Sequence, residues 1–172
     1  MPLLHVDVSQ RDQVEKLFQD ILSAFGTLHI LVNNAGVMDR FDPAGDLDPV
    51  LWDHVMAMDL TTSFLLSRVA IQDFLAQQAP DEYILNIASM ASKVGLAAGT
   101  SYTTSRHRLV GLTKNNSSFY ANKRIRCNAL MGGMSTNVTD AFHAGINVRD
   151  SKNSGIMNAL KCQLARLRVQ SA

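Results

Sequence analysis

The chain lacks an excess of either charge: 16 Lys and Arg stand against 15 Asp and Glu over 172 residues, a formal net charge of +1. Without a basic stripe there is no electrostatic footprint for a phosphate backbone or an anionic lipid surface, so nucleic acid and membrane surfaces are excluded as natural partners. Long apolar runs are missing as well. No stretch approaches the roughly 20 residues of a bilayer span, and Met1 to Arg11 lacks the basic region and apolar core of a secretory signal. The expected compartment is therefore the cytosol. Cysteine is scarce: Cys127 and Cys162 lie far apart with no C-x-x-C, and no two of the five histidines stand at metal-ligand spacing. A disulfide framework and a zinc centre are excluded, and both thiols read as structural. Proline is confined to four positions, all before residue 81. What the chain does have is 47% apolar residues, enough for the core of one ordinary globular domain.

The spacing of those apolar residues predicts alternating strands and helices. Leu3 to Val8 reads as a short strand, and Ser9 with Asp12 three positions later as a capping box for the next helix. Val14, Leu17, Phe18, Ile21, Leu22 and Phe25 recur on one helical face, and Gly26 stands where a left-handed cap is wanted. Leu28 to Val32 is a second strand, running into the turn formers Asn33-Asn34-Ala35-Gly36. Asp48 as cap and Pro49 at the first helical position open one long helix that Pro80 closes. Tyr83 to Ala88 is a third strand, Ser101 to about Asn122 a helix, and Arg124 to Leu130 a fourth strand. This β-α-β-α-β-α-β order favours a parallel sheet with helical crossovers, the doubly wound α/β architecture. A short helix is expected near Thr139 to Ala144, and Ile156 to Ala172 reads as a basic helix in a divergent tail, which divides the chain into residues 1–155 and 156–172.

Asn33-Asn34-Ala35-Gly36, with Ser89 thirteen positions before Tyr102, resembles the short-chain dehydrogenase/reductase family, and the resemblance covers almost the whole chain. Asp7-Val8 is similar to the family's acidic position after its third strand, Asn86-Ile87-Ala88-Ser89 to its serine strand, and Arg124 to Ala129 to its sixth strand. The resemblance implies a Rossmann-like fold and NAD(P)-dependent alcohol oxidation or ketone reduction on a small-molecule substrate. A carbonyl that receives a hydride also needs a proton, and a tyrosine hydroxyl supplies it near neutral pH only with a positive charge close by. In the family a lysine four residues after the tyrosine provides that charge, and a serine on the neighbouring strand orients the substrate oxygen. Carried over, these roles fall on Tyr102, Arg106 and Ser89. The residues implied at the cofactor, NAD or NADP, are Asp7, Val8, Asn33, Ala35, Gly36, Tyr102, Arg106 and Met134.

Several positions depart from the family pattern. The lysine is Arg106, whose planar fork keeps the charge but changes the donor geometry. The asparagine of the preceding helix is Asp59, an acceptor-only carboxylate that can pair with Arg106. None of the ten glycines forms the turn that cradles the dinucleotide pyrophosphate. Met1 falls just before the family's third strand, so its first two strands, and likewise its last, have no counterpart. In the doubly wound order 3-2-1-4-5-6 the first two lie between the third and fourth, so Leu3 to Val8 must pair with Leu28 to Val32, leave a gap or detach. Three expectations follow. The hydroxyls of Ser89 and Tyr102 converge at the C-terminal end of the sheet, Arg106 approaches Tyr102 or Asp59, and the chain alone binds dinucleotide weakly. The alternative reading is a non-catalytic module that pairs with full-length relatives through the helices of residues 48–79 and 101–122, or a gene fragment without function.

Overall fold

The computed structural model describes residues 4–77 and 81–132. Pro80, Met134, Cys162 and the two expected helices beyond Gly133 lie outside the described residues.

The chain enters helix α1 (Arg11–Phe25), whose face of Val14 and Phe18 is buried. Gly26 ends it in a positive-φ conformation, φ 79°, with its N–H donating to Leu22 O at 2.8 Å, the stop expected of glycine there. Strand β1 (Ile30–Asn33) leads to helix α2 (Pro49–Met56), which Asp48 caps by accepting Val50 N–H at 2.9 Å. A π-helical turn over Ala57–Thr61 joins α2 to helix α3 (Thr62–Gln77). Strand β2 (Glu82–Ser89), helix α4 (Thr100–Tyr120) and strand β3 (Ile125–Gly132) follow. The three strands form one parallel sheet in the order β1-β2-β3, with Leu31 beside Ile84 and Ile84 beside Cys127.

Each crossover lays its helices on the same face of that sheet. Phe74, Ile84 and Ile125 are buried with Val14, Phe18, Leu66, Ala70, Ile71 and Cys127 in one core. Burial pushes the Cys127 thiol up to about 11, so this cysteine is an inert core residue. On the opposite face Ile30, Val32 and Leu130 remain 59%, 51% and 57% exposed, because no described helix covers them. None of the described helices is long and apolar enough to cross a membrane.

Three expectations about local structure are corrected. Residues 4–7 are not a strand: no described strand lies beside them to complete a ladder, and Val8 packs on the core across a cleft from Leu31 and Val32, so of the three outcomes the segment leaves a gap. It is held to α1 instead, by Asp7 N–H donating to Gln13 Oε1 at 3.0 Å and Gln10 N–H to Asp7 O at 3.2 Å. The sheet therefore has three described strands in place of four. Ser9 is not the cap of α1, because its hydroxyl donates to Asp7 Oδ1 at 2.7 Å; the N-cap is Gln10, without a side-chain hydrogen bond. The long helix of residues 48–79 is interrupted by the π turn, where the Thr62 hydroxyl donates to Ala57 O at 3.0 Å. That interruption carries Asp59 into the interior.

Candidate active site

Asp59 is fully buried, a position an unpaired carboxylate would not hold. Its partners explain it. Oδ2 lies 3.1 Å from Arg106 Nη2, Oδ1 accepts Val37 N–H at 2.7 Å, and the Ser105 hydroxyl donates to Oδ2 at 3.3 Å. Burial pushes the carboxyl pKa up, while the guanidinium, the amide and the hydroxyl pull it back. Arg106 is itself only 6% exposed, donates from Nη1 to Ile87 O at 3.2 Å, and leaves Nε without a partner among the described residues. Gly36 is pressed against this pair. A Cβ there would overlap Arg106 Nη2 and stand 2.9 Å from Asp59 Oδ1, so any larger residue would have to displace the buried ion pair.

Arg106 serves two neighbours at once. Its Cζ sits 4.7 Å from the centroid of the Tyr102 ring, one helical turn away on α4, a cation-π distance. The expectation that Arg106 approaches Tyr102 or Asp59 is met by both contacts. Tyr102 is half-buried and packs against the cluster of Phe41, Ala91 and Ala98, and its hydroxyl makes no hydrogen bond to another described residue. Ser89 ends β2, where its Oγ accepts Ala91 N–H at 3.2 Å. Ala91, whose N–H Ser89 accepts, belongs to the cluster that Tyr102 packs against.

The residues implied at the cofactor are spread more widely. Asp7 is exposed, and the Ser9 hydroxyl and N–H hold its carboxyl below the usual carboxylate range. Val8, Asn34 and Ala35 line a cleft of about 240 Å³ at the C-terminal end of β1, closed on the far side by Thr62 and Ser63. Asn33 turns inward: its Nδ2 donates to Asn86 Oδ1 at 2.8 Å and Ser67 Oγ at 3.1 Å. Asn86 passes the chain on to Thr113 Oγ1 at 2.8 Å, so an amide ladder crosses the buried face of the sheet. Asn33 Oδ1 is buried without a partner. Asn33 is therefore first a sheet residue, and with that oxygen buried only its backbone remains for a ligand.

Sequence reasoning missed Asp39. It lies in the loop after Gly36, 5% exposed, and its carboxylate accepts Phe41 N–H at 3.1 Å, Gly99 N–H at 3.1 Å, the Ser101 hydroxyl at 3.1 Å and Tyr102 N–H at 2.9 Å. The only local signal is indirect. Gly99 starts α4 with no side chain of its own to cap it, which leaves the N-terminal amides for an acceptor from elsewhere.

Comparison with known proteins gives this geometry a lineage. A profile described as short chain dehydrogenase matches residues 2–146. Over 141 residues the chain is 51% identical to short chain dehydrogenase/reductase dpchG of Colletotrichum higginsianum, covering 81% of this chain and 53% of that protein. Over 155 residues it is 46% identical to short chain dehydrogenase/reductase dpfgG of Gibberella zeae, covering 87% and 57%. Its fold is similar to a 3-ketoacyl-(acyl-carrier-protein) reductase from Brucella melitensis complexed with NADH, with a TM-score of 0.71, 28% identity, and coverage of 74% of this chain and 53% of that one. The chain spans a little over half the length of the curated relatives it matches. The chain is a member of the short-chain dehydrogenase family.

Proposed function

We propose that the chain carries the proton-transfer half of an NAD(P)-dependent oxidoreductase that interconverts an alcohol and a ketone. The observation that carries this reading is Tyr102, its hydroxyl unbonded to any described residue, held beneath the Arg106 guanidinium and packed on the cluster whose Ala91 N–H donates to Ser89 Oγ. Ser89 Oγ holds the substrate oxygen by a hydrogen bond. The Tyr102 hydroxyl delivers a proton to that oxygen in reduction and recovers it in oxidation. Arg106 fixes the ring from above, and Asp59 holds Arg106 in place. A nicotinamide dinucleotide, when bound, supplies or accepts the hydride.

The described residues fit one end of such a cofactor better than the other. The cleft over the end of β1, with Asn34 and Ala35 on its wall, suits a flat polar ring at the carboxyl edge of a parallel sheet. The pyrophosphate finds no cradle among them. The N-terminus of α4 is filled by the Asp39 carboxylate and that of α2 by Asp48, while α1 opens with Asp12 in its first turn. Those carboxylates repel the anion that a helix N-terminus otherwise attracts. Without two charge-assisted hydrogen bonds, at roughly 1.5–3 kcal/mol each, micromolar affinity falls to roughly millimolar. Titrating NADH into 15N-labelled chain is expected to show such weak binding, with the shifted amides confined to Val8, Asn34, Ala35 and Gly36. Low-micromolar binding, or shifts away from the cleft, would contradict the proposal.

A second feature supports pairing between two copies of the chain, or with a longer relative, through α3 and α4. Phe64 and Leu75 are exposed on α3 and rim a groove of about 190 Å³ that Arg68 and Tyr120 complete. Exposed apolar side chains around a groove are the usual mark of an interface. Sedimentation velocity is expected to show dimers that Phe64→Glu converts to monomers, and a wild-type chain that stays monomeric at every concentration would exclude self-pairing.

A further inference from the structure

We propose that Asp39 is the positioning residue for Tyr102, clamping the first turn of α4 so that the phenol stands at one fixed place under the Arg106 guanidinium. The proposal deepens the oxidoreductase reading and rests on it for its functional meaning. Its basis is geometric. The Asp39 carboxylate is buried and takes four donors from two parts of the chain, one of them Tyr102's own N–H at 2.9 Å. A helix is ordinarily capped by its own N-cap side chain, with one or two acceptor contacts. Here the N-cap is Gly99, and a Cβ on it would lie 2.6 Å from Asp39 Oδ2 and 2.7 Å from Phe41 Cα. The remote carboxylate and the bare Gly99 are thus fitted to each other.

The loop that carries Asp39 is fastened at both ends to the site. At its start Val37 N–H donates to Asp59 Oδ1 at 2.7 Å; at its end Thr100 N–H donates to Asp42 O at 3.0 Å. Between them Phe41 adopts φ 63°, unusual for a bulky side chain, and packs in the cluster that receives Tyr102. Residues 37–42 therefore link the Asp59–Arg106 pair to the turn that bears the phenol. A plain helix cap needs neither that link nor the aromatic wedge.

The test uses the full chain with 13Cζ-labelled tyrosine, whose three signals (Tyr83, Tyr102 and Tyr120) are assigned with Tyr102→Phe. Asp39→Asn puts an NH2 group against N–H donors, and Ser101→Ala removes one donor while leaving the carboxylate. Thr113→Val is the control, since Thr113 is a buried partner of Asn86 in the amide ladder, about three helical turns along α4 from Tyr102. Wild type is expected to show one sharp Tyr102 signal. Asp39→Asn is expected to displace or split it by more than a line width, and Ser101→Ala to move it the same way by less, with Tyr83 and Tyr120 unchanged in both. Thr113→Val is expected to lower the melting temperature without moving it. If Asp39→Asn melts earlier yet leaves the Tyr102 signal in place, Asp39 is a helix cap and the proposal is overturned. If Asp39→Asn does not fold, an unmoved Tyr102 signal in Ser101→Ala overturns it equally. The readout needs neither cofactor nor turnover, so a chain without activity defeats the oxidoreductase reading and leaves this result standing.

Discussion

Replacing Arg106 with methionine is expected to lower the stability of the chain by about 3–5 kcal/mol, the cost of stranding a buried carboxylate. Asp59 is completely buried and its pairing to Arg106 Nη2 spans 3.1 Å, with only the Val37 amide and the Ser105 hydroxyl left to compensate once the guanidinium is gone. For a chain of this length the loss corresponds to a fall in Tm on the order of 10 °C. Asp59→Asn leaves the opposite charge buried and sets an NH2 group against a guanidinium donor, so it destabilises too. The double variant removes both charges. It is expected to be no less stable than Arg106→Met alone, which makes the two substitutions strongly non-additive in a double-mutant cycle. Strict additivity in thermal or urea unfolding would show that the pair does not hold the site together.

How much of this was legible in the residues depended on how local the deciding interaction is. The Asp48-Pro49 start, the Gly26 stop and the three sheet strands could be read because caps, turns and apolar spacing act within a few residues. Leu3 to Val8 has the same apolar pattern, yet its described residues 4–8 form no strand, since pattern specifies a face but not the neighbour that a ladder requires. The π turn was hidden inside a continuous helical periodicity, for it is fixed by Asp59 reaching Val37 and Arg106, contacts that span 22 and 47 positions. Asn33 stands at the sheet end that the resemblance implies, but the ladder its amide completes with Asn86 and Ser67 is announced by no local spacing. Asp39 could not be singled out among ordinary loop carboxylates, because all but one of its donors come from about 60 positions away.

Tyr102→Phe is expected to lower turnover by roughly 10²–10⁴-fold, the usual worth of a positioned general acid, while leaving the melting temperature within about 2 °C. The substitution keeps the ring under the guanidinium and in the cluster with Phe41, Ala91 and Ala98, and the hydroxyl it removes bonds no other described residue. Chemistry and stability therefore separate at this position. At Arg106 they do not, because the same side chain pairs with Asp59 and covers the ring.

The most direct measurement is the initial rate of reduced-nicotinamide oxidation at 340 nm, with NADH and NADPH each at several millimolar and a panel of ketones, on the wild-type chain and Tyr102→Phe side by side. High cofactor offsets the weak pyrophosphate contact and leaves the proton-transfer residues as the variable. Slow turnover of at least one ketone by the wild-type chain, lost in Tyr102→Phe with its fold intact, is the predicted result. No turnover with either cofactor, or a rate that Tyr102→Phe leaves unchanged, would contradict the account.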